Sequence, residues 1–160
     1  MGSINIQLIP AQEYIRFLAS SCKQFCANQN EMDKAYNRIG TEWADRIYVR
    51  TGEELKETAK NIYGIYYTIS ETIQILYKRI CALCRYNETS EPAPIYIEQF
   101  TVKIIGGTMA GNELINTTPE VLEQFERALS NYIETTNQTI VNIINKHNAM
   151  SQYWNDGQYN

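Results

Sequence analysis

Four cysteines stand as two pairs, Cys22 with Cys26 and Cys81 with Cys84, each pair about one helical turn apart. Four thiolates could make a tetrahedral zinc site. The elements carrying them argue against it. A turn signal at Trp43 sets a helical hairpin in which Cys22 faces about residue 64, not Cys81. That gap is roughly 25 Å at helical rise, too far for a shared metal or a disulfide. The thiols read as small buried hydrophobes, and neither metal nor cofactor is expected. Without a secretory signal the compartment leans to reducing.

The remaining reactive groups fare no better. His147 is the one histidine, with no partner at a ligand or triad spacing, and is expected to pack partly buried. Gly106 and Gly111 follow an apolar run at the spacing of a phosphate loop. Asn112 and Glu113 stand where that loop needs Lys and then Ser or Thr, so a plain glycine turn is expected. Glu53 with Glu54, and Glu123 with Glu126, fall at helix starts or on polar faces, where the helix dipole accounts for them. Three Asn-x-Thr sequons, at Asn87, Asn116 and Asn137, fit chance in a chain rich in both residues. No catalysis is expected.

What remains is aromatic. Tyr63, Tyr66, Tyr67 and Tyr77 crowd one helix and cannot all face one seam. An exposed aromatic face favours a partner. A second contact within the chain, against the third helix, is the alternative.

Three segments carry a helical period. From about Ala11, Ile15, Leu18, Cys22, Phe25, Gln29, Met32, Tyr36 and Ile39 alternate three and four apart, with Gln29 the polar break. From about Gly52, Leu55, Ala59, Ile62, Tyr66, Ile69, Ile73, Leu76, Ile80 and Leu83 do the same over four heptads. Gly64 interrupts the second helix and would admit a close neighbour. Thr118-Pro119 opens the third with an N-cap and a first-turn proline. Its seam is wider and more polar in the middle. Between the second and third helices, Pro92 and Pro94 stop the helix, and residues 95–105 alternate as strands do. Residues 4–8 alternate too, so a small β element joining 4–8 to 95–105 is expected. The class is mainly α: a long antiparallel hairpin plus a third long helix. Its parts are a hairpin unit at 1–88, a strand or loop connector at 89–117 and the third helix at 118–160, together as one compact domain.

A repeat organises these parts. Trp43, Asp45 and Tyr48 match Trp154, Asp156 and Tyr159 as Trp-x-Asp-x-x-Tyr, and upstream Tyr14 aligns with Phe125 and Leu18 with Leu129. Asp45 can cap the amides of the returning helix, and Trp43 can seal the bend. The second unit reaches its Trp-x-Asp with no returning helix in this sequence.

A long helix, a Trp-bearing bend and a second long helix resemble the Trp-X-Gly hairpin family linked to bacterial type VII secretion. The likeness covers Ala11 to Tyr86, with Trp43-Ala44-Asp45 at the bend, and Thr118 to Tyr159 as a half unit. Asp45 and Asp156 stand where that family has Gly, and its Tyr-plus-acid tail signal is missing. The resemblance implies binding, export or assembly, and no catalysis.

Composition narrows the rest. At 44% hydrophobic and 20% charged residues the chain should fold, and a net charge of −4 disfavours nucleic acid. No apolar run reaches a membrane-spanning length, and the N-terminus lacks a signal peptide. The expected function is a helix-docking, secretion- or effector-associated binding protein with a protein partner or as a homo-oligomer. Toxin-masking immunity or chaperone proteins and self-assembling structural subunits are the alternatives. The expected location is cytoplasmic, or exported without a cleavable signal peptide.

Overall fold

A seam of large apolar residues, each worth about 1.5–3 kcal/mol when fully buried, must be covered along its length. The computed structural model describes residues 5–105, 114, 115 and 117–155 and covers these seams with three helices. Strand β1 (Asn5–Ile6) leads into α1 (Leu8–Ile39), and β2 (Trp43–Ala44) lies in the bend. Helix α2 (Arg46–Tyr86) returns, β3 (Leu114–Ile115) precedes α3 (Pro119–Met150), and β4 (Trp154–Asn155) follows it. The chain is mainly α.

The helices pass through two compact units, one of residues 1–24, 66–98 and 138–160, the other of residues 25–65 and 99–137. In the first, Tyr14, Ile15 and Leu18 of α1 are buried, as are Ile69, Ile73 and Ile80 of α2. In the second, Phe25, Met32, Tyr36 and Ile39 of α1 are buried, with Leu55 and Ile62 of α2 and Tyr132 of α3.

The repeat extends beyond the motif. Helices α1 and α3 are both 32 residues long. Leu8 and Pro119, Ile39 and Met150, and Trp43 and Trp154 are all 111 positions apart. The same turn closes both helices, with the Glu42 amide on the Ile39 carbonyl and the Tyr153 amide on the Met150 carbonyl. The strands are reciprocal: in the first unit β1 pairs antiparallel with β4, and in the second β2 pairs with β3. Each tryptophan strand thus joins the strand that leads into the other repeat helix. Side contacts repeat too. The Tyr14 and His147 rings lie 6.4 Å apart in the first unit, and their counterparts Phe125 and Tyr36 lie 6.4 Å apart in the second.

Two expectations need correction. Residues 95–105 form no strand, and residues 5–6 pair with β4 instead. Glu91–Ile105 runs extended as a strap whose backbone is met by side chains, so its alternating pattern reflects attachment to helices rather than a ladder. Gly64 serves no close helix approach: it is exposed, and a Cβ added there would meet nothing within 4 Å. Helix α2 also begins earlier than its apolar seam, because Asp45 caps it.

Helix α2 ends with the Thr89 amide on the Cys84 carbonyl at 2.8 Å. Glu88 sits at φ 54°, a left-handed position usually given to glycine.

Candidate functional site

The bend is built on two tyrosines and two glycines. Gly40, just past the end of α1, stands four residues after Tyr36, and Tyr48 and Gly52 repeat that spacing on α2. The two rings stack at 4.4 Å and 4°. The Tyr36 hydroxyl donates to the Tyr48 carbonyl at 2.8 Å, and the Tyr48 hydroxyl to the Tyr36 carbonyl at 3.4 Å. Each ring lies over the other tyrosine's glycine. A Cβ on Gly52 would meet Tyr36 Oη at 2.1 Å, and one on Gly40 would meet Tyr48 Oη at 2.1 Å. Only glycine leaves room for the stack. Burial pushes both phenols up from their ordinary range.

Asp45 caps α2, its Oδ1 accepting the Tyr48 amide at 2.9 Å. Partial burial pushes its carboxyl up, but hydrogen bonds from the Tyr48 amide and the Trp43 side chain outweigh this and hold it below its usual value. Trp43 is half-buried and packs tilted against Tyr48, centroids 5.9 Å apart at 57°. Trp43, Asp45 and Tyr48 therefore meet at one bend. Of their repeat partners, Trp154 contributes its backbone to β4, while Asp156 and Tyr159 lie outside the described residues. So does the glycine turn at 106–111.

The α2 tyrosines hold the strap. Tyr77 donates to the Pro92 carbonyl at 3.1 Å, and Tyr66 to the Glu98 carbonyl at 2.5 Å. Tyr63 packs against Phe100, centroids 6.0 Å apart. Tyr67 is exposed and donates to Glu71 of the next turn at 2.7 Å. Three of the four thus reach the strap.

A polar cluster interrupts the α1 seam in the second unit. Asp33 is buried. It accepts Gln29 Nε2 at 2.7 Å and the Lys103 amide at 2.7 Å. Tyr132 of α3 donates to Gln29 Oε1 at 2.6 Å. One turn on from Asp33, Asn37 donates to the Lys103 carbonyl at 2.6 Å and accepts the Ile105 amide at 3.0 Å. The two side chains bind the strap as a neighbouring strand would. Burial pushes the Asp33 carboxyl above its usual value against the lowering effect of those hydrogen bonds. The sequence carried one trace of this cluster, the polar break at Gln29.

The four cysteines are buried and form no disulfide, and no cluster of three or more His, Cys, Asp or Glu side chains among the described residues is placed to hold a metal. His147 is exposed, with its Nδ1 3.1 Å from Tyr14 Oη.

Where the repeats diverge, a surface opens. On α1, Ala11, Cys22 and Asp33 are buried. Their counterparts 111 positions on are Leu122, Ile133 and Ile144 of α3, exposed at 40%, 52% and 53%. The larger apolar side chains are on the uncovered helix. No helix among the described residues is long and apolar enough to cross a membrane. No family model, curated protein or solved structure matches the chain.

Proposed function

We propose that this chain is a non-enzymatic binding module that works by docking helices against a protein partner. One observation carries the reading: α3 exposes Leu122, Ile133 and Ile144 at the positions where its repeat counterpart α1 is buried. Exposing large apolar side chains along one helix is costly in water and is a common sign of a protein contact. The Trp-bearing hairpin bend supports the secretion- or effector-associated role that the Trp-X-Gly resemblance implies.

The test is an affinity pull-down from native cells and their medium, read by mass spectrometry, followed by sedimentation of the purified mixture. The expected result is a protein partner that co-sediments in fixed stoichiometry. Recovery of the bait alone as a monomer, or turnover abolished by a single change at His147 or a cysteine, would overturn the reading.

A further inference from the structure

Resting on the docking reading, we propose that the groove between α1 and α3 in the second unit receives an aromatic side chain of the protein partner, its ring set on Ala35 and Ala128 and met by the Arg38 guanidinium.

The repeat supplies a filled copy of this place. In the first unit, Lys146 of α3 holds its Nζ 5.9 Å from the centroid of the Phe17 ring of α1. At that distance a cation is drawn to the face of a ring. Both side chains are half-buried. Their counterparts 111 positions away are Ala128 for Phe17 and Ala35 for Lys146. The second unit therefore lacks both the ring and the cation that occupy the first.

Two alanines could let the helices close up, but space remains instead. A cavity of about 500 Å³ is lined by Ala35 and Ala128, with Met32, Tyr132 and Arg38 among its other walls. That is within the size range of binding pockets. A second cavity of about 230 Å³ shares Ala35, Arg38 and Ala128 with it and continues the groove to Phe125. All these residues belong to the second unit.

Charge selects the occupant. Lys34 on the rim is paired with Glu31 at 3.3 Å. Arg38 makes no side-chain hydrogen bond or ion pair among the described residues. It stands one turn on from Ala35, on the same helix face, and so brings back the cation that Ala35 lacks. An aliphatic side chain would fill the space and leave the guanidinium unanswered. A carboxylate would answer it, but would lose water against Met32 and the two alanines and be repelled by Glu31 and Glu42. A ring is apolar and offers the cation a negative face, and guanidinium planes stack on rings. Aromatic side chains seated in such pockets are common anchors of protein interfaces.

The probe is N-acetyl-phenylalaninamide, titrated into the isotope-labelled full chain and followed by amide NMR shifts, with N-acetyl-leucinamide as the aliphatic control. The expected result is saturable shifts centred on Ala35 and Ala128, with a midpoint of about 1–10 mM, and binding about threefold or more weaker for the leucine compound. Ala128→Phe supplies the ring from within, as Phe17 does, and should abolish the shifts in a chain that circular dichroism shows to be folded. Arg38→Gln keeps the cavity and should weaken the probe about two- to fivefold. For the partner recovered from cells, Ala128→Phe should lower affinity about thirtyfold or more. Shifts absent from this groove, equal binding of the leucine compound, or an Arg38→Gln variant that binds as wild type would each overturn the proposal, and none of these needs Ala128→Phe to fold. A partner held equally by wild type and folded Ala128→Phe overturns the proposal and leaves the docking reading standing. Bait recovered alone as a monomer overturns both.

Discussion

Replacing Gly52 by alanine sets two effects of known size against each other. Within a helix, alanine is favoured over glycine by about 1 kcal/mol. Gly52 lies inside α2, so propensity alone would stabilise the variant. The tertiary contact opposes it. The new methyl would stand 2.1 Å from Tyr36 Oη and 2.6 Å from Tyr36 Cζ. Tyr36 must retreat by about 1 Å to reach van der Waals distance. It is fully buried and stacked on Tyr48, so its retreat disturbs the stack. Its hydrogen bond to the Tyr48 carbonyl is also broken or stretched. Overpacking costs about 1–3 kcal/mol, and a buried hydroxyl left without its acceptor about 1–3 kcal/mol more. After the propensity gain, the net loss should be about 1–5 kcal/mol. For a chain of this size that lowers Tm by roughly 2–20 °C. The control is Gly64→Ala in the same helix, where an added Cβ meets nothing within 4 Å. It should raise stability by about 0.5–1 kcal/mol. Urea and thermal unfolding followed by circular dichroism measure both. If Gly52→Ala stabilises as Gly64→Ala does, the reciprocal tyrosine–glycine packing does not hold the bend.

Trp43→Ala removes a half-buried ring from the face of Tyr48 and should cost about 2–3 kcal/mol in urea unfolding. An unchanged midpoint would show that the ring does not seal the hairpin. Asp45→Ala removes the α2 cap and should cost about 1 kcal/mol at pH 7. Because the folded-state carboxyl is held below its usual value, that difference should shrink as pH falls below about 4 and Asp45 protonates. Asp33 has the opposite sign. Its folded-state carboxyl is raised by burial, so the folded state binds a proton more readily than the unfolded chain. Wild type should gain on Asp33→Asn as pH falls from 7 toward about 4, and a difference independent of pH would refute this. Glu88→Gly relieves a left-handed φ at the end of α2 and should stabilise by about 0.5–1 kcal/mol, read as a rise in Tm.

Periodicity by itself determined the three helices. Leu55, Ala59, Ile62 and Tyr66 admit no other covered arrangement, because a seam that alternates three and four apart makes one face only on a helix. The Trp-x-Asp match, read from a few letters, marked a repeat whose helices prove equal in length and equally spaced. Asp45 was legible as a cap because capping is a local interaction within one turn. The strap was not legible. Alternation in residues 95–105 says that the segment is extended, but whether a strand or a set of side chains receives its hydrogen bonds depends on distant residues. Here Asp33 and Asn37 accept strap amides, and Tyr66 donates to a strap carbonyl. Likewise Gly40, Gly52 and Gly64 all stand as glycines in helical surroundings. Only tertiary packing separates the two that a ring covers from the one open to solvent. The exposed stripe of α3 follows the same logic. Sequence places Leu122, Ile133 and Ile144 on one face, but burial is a property of neighbours, and tertiary packing covers that face on α1 and leaves it open on α3.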